Sequence, residues 1–198
     1  IIGGGITGAG ILRLAARVGL RVLLVEAHDF ASGTSSRSSK LVHGGLRYLS
    51  QGQIKMVVDS VRERERLRQE ARGLVNSLGF LMPNFAGDRP PGWVFGAAFT
   101  LADLIAWQWS HRHYDAIDMR DLCPPLREAG LLGGYRYFDS QTDDARLVLR
   151  VIREAVREGG VALNYARVVN LLRTQSGAVG GVALSDLMTG QTREIQAS

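Results

Sequence analysis

The residues with the clearest chemical signature are Gly3, Gly5 and Gly8, spaced as glycine-x-glycine-x-x-glycine in Gly3-Gly4-Gly5-Ile6-Thr7-Gly8. Glycine at these positions lets the backbone turn tightly, approach a pyrophosphate with no Cβ in the way, and pack the following helix close to a strand. The N-terminus of that helix offers unpaired N–H groups and a partial positive charge to phosphate. Alone, the pattern also fits a glycine turn without a ligand. Glu26 supplies a second half: it lies eighteen residues after Gly8, at the end of an apolar run, where a carboxylate accepts from an adenosine ribose. A solvent-facing acid at a strand end is the bland alternative. Glycines and acid together point to dinucleotide binding, and they do not separate FAD from NAD, which share the ADP half.

A second block runs Gly33-Thr34-Ser35-Ser36-Arg37-Ser38-Ser39-Lys40-Leu41-Val42-His43-Gly44-Gly45-Leu46-Arg47-Tyr48-Leu49. It places hydroxyls, amides and cations close behind the glycine turn, and Gly44-Gly45 allows backbone to approach a flat ligand. A serine-rich loop without function has the same composition. Cys123 is the one cysteine; with no CxxC or Cys/His cluster, neither an internal disulfide nor a metal site is expected. A reducing, cytoplasmic setting fits.

The net charge of +5 and pI near 9.9 permit attraction to phosphorylated ligands or anionic lipid. Nucleic acid is not expected, because no binding motif accompanies the charge. In Val61-Arg62-Glu63-Arg64-Glu65-Arg66-Leu67-Arg68 acids interleave with bases, the pattern of a solvated helix face. The apolar run from Trp93 to Trp109 carries Asp103 near its middle and follows Pro90-Pro91-Gly92. It reads as a packed or interfacial helix rather than a membrane span.

These residues need elements to hold them. Ile1-Ile2 reads as the end of a strand, Gly3 to Gly8 as a turn, and Ala9 to Val18 as a helix closed by Gly19. Arg21 to Glu26 follows as a buried strand, an order that implies a parallel sheet. Residues 29 to 46 read as loop with room for a helical turn. The spacing of Val57, Val61, Leu67, Ala71, Leu74 and Leu78 predicts one amphipathic helix over 53–78, and Phe80 to Gly92, with three of the five prolines, reads as a connector. Tyr135 to Phe138 is expected as strand, Asp143 or Asp144 to Glu158 as helix, Val161 to Leu172 and Val179 to Leu184 as strands. The fold class is therefore α/β: a Rossmann-like nucleotide-binding domain with a parallel sheet, a helical insertion and the start of a β-rich segment. Its parts are the βαβ unit and loop over 1–50, a mainly helical insertion over 51–134 and the return over 135–198. The domain is expected to be incomplete at both ends, with too few residues before Gly3 for a full strand and a strand-like pattern still running at Ser198.

The loop block resembles the flavin-contacting block of FAD-dependent glycerol-3-phosphate dehydrogenases, members of the D-amino-acid-oxidase-like flavoproteins. Tyr137-Phe138-Asp139-Ser140-Gln141-Thr142-Asp143-Asp144-Ala145-Arg146-Leu147-Val148-Leu149 is similar to a second signature of that family. The resemblance implies FAD held by Gly3, Gly5, Gly8 and Glu26, with Thr34, Ser35, Ser36, Ser39 and Lys40 near the pyrophosphate or ribityl chain. It implies His43, Gly44, Gly45 and Leu46 at the isoalloxazine ring, and Val168 lending backbone hydrogen bonds to adenine. Arg47 matches an active-site arginine that faces glycerol phosphate, for which a guanidinium offers a fixed fork of donors; a surface arginine is its other reading. His43 could accept a proton, yet a flavin or backbone hydrogen bond suits it equally. Asp143, Asp144 and Arg146 are expected to serve the helix start.

The implied reaction is oxidation of sn-glycerol 3-phosphate to dihydroxyacetone phosphate, by hydride transfer to FAD and onward transfer to quinone. A peripheral contact at the inner face of the cell membrane is implied with it. An oxygen-using glycerol-3-phosphate oxidase, an amine or amino-acid oxidase of the same fold, and a non-catalytic FAD-binding fragment remain open alternatives.

Overall fold

The nucleotide-binding half begins with β1 (Leu23–Val25), which pairs in parallel with β6 (Val161–Leu163), while Ile2 bridges Val25 in parallel on its other side. The computed structural model describes residues 1–42, 53–106 and 109–197. They form two units, Ile1–Ser39 with Asp143–Ser198 and Lys40–Thr142.

In the first unit, α1 (Ile6–Arg17) packs against α5 (Asp144–Arg157). Ala9, Leu12 and Ala16 on one helix, and Val148, Ile152 and Ala155 on the other, recur at helical spacing and are buried. Alanines at these crossing positions let the backbones approach, and Leu12 and Leu24 fill the space beneath with no exposure. Arg13–Glu154 at 3.1 Å and Arg17–Glu158 at 3.5 Å line the outer seam. α1 starts three residues before the expected Ala9, because glycine tolerates the N-cap at Gly5 as well as the turn before it.

The expected strand from Val161 to Leu172 is broken. Tyr165 takes the left-handed conformation at φ 54°, and its N–H donates to the His28 carbonyl while that of Ala166 donates to the Glu26 carbonyl. The chain thereby leaves β6 and enters β7 (Ala166–Arg173), which forms an antiparallel sheet with β8 (Val179–Asp186) and β9 (Thr192–Gln196) in that order.

The second unit is built on β5 (Leu131–Thr142). The strand β3 (Val75–Phe85) runs antiparallel along its length, and β2 (Leu41–Val42) and β4 (Arg112–Tyr114) pair with opposite ends of its other edge. Helices α2 (Ile54–Glu70), α3 (Gly92–Ala106) and α4 (Ala116–Leu122) complete it.

Here the helix expected over 53–78 stops at Glu70, Gly73 turns the chain at φ 80°, and the segment expected as helix end and connector is an eleven-residue strand. Val75, Leu78 and Phe80 satisfy helical spacing locally, but pairing with β5 about sixty residues away decides the outcome. Pro83 is tolerated because β3 is an edge strand among the described residues. Among its described residues, the segment expected as mainly helical thus holds three helices and much of an antiparallel sheet. No helix among the described residues is long and apolar enough to cross a membrane.

Candidate functional site

At the end of β1 the chain folds Glu26 back under the glycine turn. Its Oε2 accepts from the Gly4 N–H at 2.7 Å and its Oε1 from the His28 N–H at 2.8 Å. Gly3, at φ 105°, donates its N–H to the Val25 carbonyl at 2.8 Å, so the turn is stitched to the strand beside it. A Cβ on Gly8 would run into the Gly3 carbonyl oxygen, and one on Gly4 would lie 2.7 Å from the Phe30 ring and 2.9 Å from Glu26 Cβ. Both sites therefore exclude any side chain.

Gly5 is the N-cap of α1 and has no side chain with which to cap; no acid occupies the first turn. Ser35 serves instead, its Oγ accepting the Ile6 N–H at 2.9 Å. Ser35 sits in a short 3-10 turn, Thr34–Ser36, in which the Ser36 hydroxyl donates to the Gly33 carbonyl at 3.2 Å. Having accepted from Ile6, the Ser35 hydroxyl retains its own proton to donate. Each Glu26 oxygen likewise keeps a lone-pair site beyond the backbone bond it accepts. A helix N-terminus, a hydroxyl donor and a carboxylate acceptor are thus gathered on one side-chain-free turn. This is the donor and acceptor set that an adenosine diphosphate moiety requires.

Ser39 is exposed. Lys40 belongs to the second unit, at φ 58°, where its carbonyl accepts from the Thr142 N–H at 2.9 Å. His43, Gly44, Gly45, Leu46 and Arg47 lie outside the described residues. Val168 sits on β7 opposite Leu184, where the ladder skips to Asn170 and leaves Val169 unpaired. The Ala166 bond to Glu26 anchors that strand two residues before Val168.

One functional neighbour was not expected. Ser38 donates its hydroxyl at 2.7 Å and its N–H at 3.1 Å to Asp144, which is 8% exposed, while Asp143 caps α5 by accepting the Arg146 N–H. Asp144 therefore fastens the serine loop to the start of α5. The helix-start pattern of Asp143-Asp144 was legible, but its partner 106 positions away carried no local signal. Among the described residues no group of His, Cys, Asp and Glu could hold a metal ion.

Residues 1–197 match the family model described as FAD dependent oxidoreductase. Over its whole length the chain is 41% identical to an alpha-glycerophosphate oxidase of Streptococcus pneumoniae and 38% identical to an aerobic glycerol-3-phosphate dehydrogenase of Staphylococcus haemolyticus. It spans 33% and 36% of those two proteins, about a third of each. The X-ray structure of a glycerol-3-phosphate dehydrogenase from Bacillus halodurans, complexed with FAD, superposes with a TM-score of 0.75 at 36% identity, covering 99% of this chain and 32% of that one.

Proposed function

This chain belongs to the FAD-dependent oxidoreductase family, and from that premise we propose that it is the cofactor-binding third of an enzyme that oxidises sn-glycerol 3-phosphate to dihydroxyacetone phosphate. The observation that carries dinucleotide binding is the Glu26 carboxylate held by the Gly4 N–H beneath the helix start that Ser35 caps, and membership of the FAD dependent oxidoreductase family makes that dinucleotide FAD. The substrate assignment rests on whole-length similarity to proteins named for that substrate.

In this reading the N-terminus of α1, with Gly3, Gly5 and Gly8, receives the pyrophosphate, and Glu26 accepts from the adenosine ribose. Ser35 donates its free proton to a phosphate oxygen, with Thr34, Ser36, Ser39 and Lys40 along the pyrophosphate and ribityl chain. The backbone at Val168 meets adenine, and His43, Gly44, Gly45 and Leu46 meet the ring system. Arg47 holds the anionic end of the substrate through its guanidinium fork. When bound, FAD supplies the hydride acceptor, while the protein supplies position and charge.

The test is anaerobic mixing of the full-length protein with glycerol 3-phosphate. Bleaching of the flavin spectrum is expected, and its absence with FAD bound would overturn the reading. Arg47→Ala should retain flavin and raise KM about 10- to 100-fold, the loss of a charge-assisted contact. We assign quinone as the electron acceptor; the 41% identity to an alpha-glycerophosphate oxidase favours oxygen as the second reading. Peroxide formation measured against quinone-dye reduction separates them. A peripheral membrane contact through α3 belongs to the same proposal, supported by Trp93, Leu101 and Leu104, which are 72%, 42% and 60% exposed on its outer side.

A further inference from the structure

We infer that Phe30 is a positioning residue for the bound cofactor: its ring backs Gly4 in the glycine turn and, through Gly4, holds the Glu26 carboxylate in place. The inference rests on the reading of this turn as the FAD site. A Cβ on Gly4 would lie 2.7 Å from Phe30 Cδ1 and 2.9 Å from Glu26 Cβ. The Gly4 Cα is therefore within contact range of both the ring edge and the aliphatic stem of Glu26. The Gly4 N–H donates to Glu26 Oε2 at 2.7 Å, so ring, glycine and acid form one connected set.

Phe30 is itself firmly held. Its ring packs against the cluster of Ala9, Val148 and Ile152 and against that of Leu12, Leu24 and Ala155, so it touches both buried cores of the first unit. On its backbone, Asp29 Oδ1 accepts the Phe30 N–H at 2.8 Å and the Asn164 Nδ2 at 3.1 Å. The next residue, Ala31, is 2% exposed and takes the left-handed conformation at φ 62°. That conformation is strained for a residue with a Cβ, and here it delivers the Ala31 N–H to the Gly4 carbonyl at 3.0 Å. Phe30 and Ala31 thus hold Gly4 at two points, its Cα and its carbonyl.

A turn made of glycines has no side chains of its own to fix it and is free to sample many conformations. The close-packed interior beneath Phe30 is rigid, and the ring carries that rigidity to the turn. A dinucleotide that meets a turn already ordered loses less free energy on binding. A smaller side chain at position 30 leaves a gap beside Gly4, loosening both the turn and the bond that holds Glu26.

The test is FAD affinity, by fluorescence titration of the full-length protein stripped of flavin, together with thermal melting of that apoprotein. Phe30→Leu should weaken FAD binding about tenfold. Ile152→Ala, on α5 in the same core, should lower the melting temperature and keep FAD affinity. Phe30→Leu combined with Glu26→Ala should weaken binding less than the product of the single effects, because the ring acts through the set that Glu26 completes. Phe30→Met, nearer in volume but without a flat ring edge, gives the same comparison if the leucine variant does not fold. A position-30 variant that melts lower yet binds FAD like wild type, or single effects that simply multiply, overturns the inference. Wild type that binds no FAD overturns the cofactor reading instead.

Discussion

Glu26 shows how one side chain can serve the protein and a ligand at once. Its carboxylate accepts the Gly4 and His28 N–H groups, so the same bonds that shape the turn hold the acid where a ribose would meet it. Glu26→Ala removes charge-assisted hydrogen bonds of about 1.5–3 kcal/mol, and FAD affinity measured by fluorescence should fall about 10- to 100-fold. Glycine at position 8 is required for a steric reason, since an added Cβ would strike the Gly3 carbonyl. Gly8→Ala should therefore cost about 1–3 kcal/mol and release flavin during gel filtration. Gly10→Ala, whose Cβ would meet nothing within 4 Å, should keep it. These residues could be read directly because turn, helix and acid fall within one short stretch of chain. Ser38 could not, since it becomes meaningful only when Asp144 is brought to it.

At the scale of the element, α3 is held in a particular way. Its one charged residue, Asp103, is 4% exposed and turned inward, accepting from the Ser110 hydroxyl and N–H and from the N–H and Nδ1 of His111. Phe99 stacks on Tyr137 at 4.7 Å beside it. Burial works to raise the Asp103 pKa, and the bonds from Ser110 and His111 outweigh it, leaving the carboxyl below the usual aspartate value. A depressed folded pKa means stability that is fully present above the unfolded value, about 3.9, and lost as pH falls through the folded one. Thermal melts of the full-length protein should show this loss below about pH 4. Asp103→Asn should flatten that limb and lower stability at neutral pH by about 1–3 kcal/mol. The apolar run marked α3 in the sequence and Asp103 argued against a span. That the acid holds Ser110 and His111 emerged only with the fold.

The chain holds a nucleotide turn in one unit and an aromatic, arginine-bearing sheet in the other, and it spans about a third of the relatives it matches. Activity is accordingly a property to seek in the full-length protein. Peripheral association is tested with lipid vesicles: wild type should co-sediment at low salt, and Trp93→Ser with Leu104→Ser should reduce the bound fraction about tenfold or more, as expected for losing two apolar contacts. Wild type remaining in the supernatant would remove the membrane from the proposal.

By itself the sequence determined the parallel βαβ start, the glycine turn with its acid, the helix opening at Asp143 and Asp144, and, through resemblance, the kind of cofactor. All of these are written in spacing over a few turns of chain, where backbone geometry and local capping dominate. Tertiary structure alone decided that residues 75–85 form a strand, that Tyr165 breaks the run after β6, that Asp144 fastens the serine loop, and that Phe30 meets Gly4. Each of those depends on a partner brought near by folding, and apolar spacing that suits both helix and strand cannot name that partner in advance.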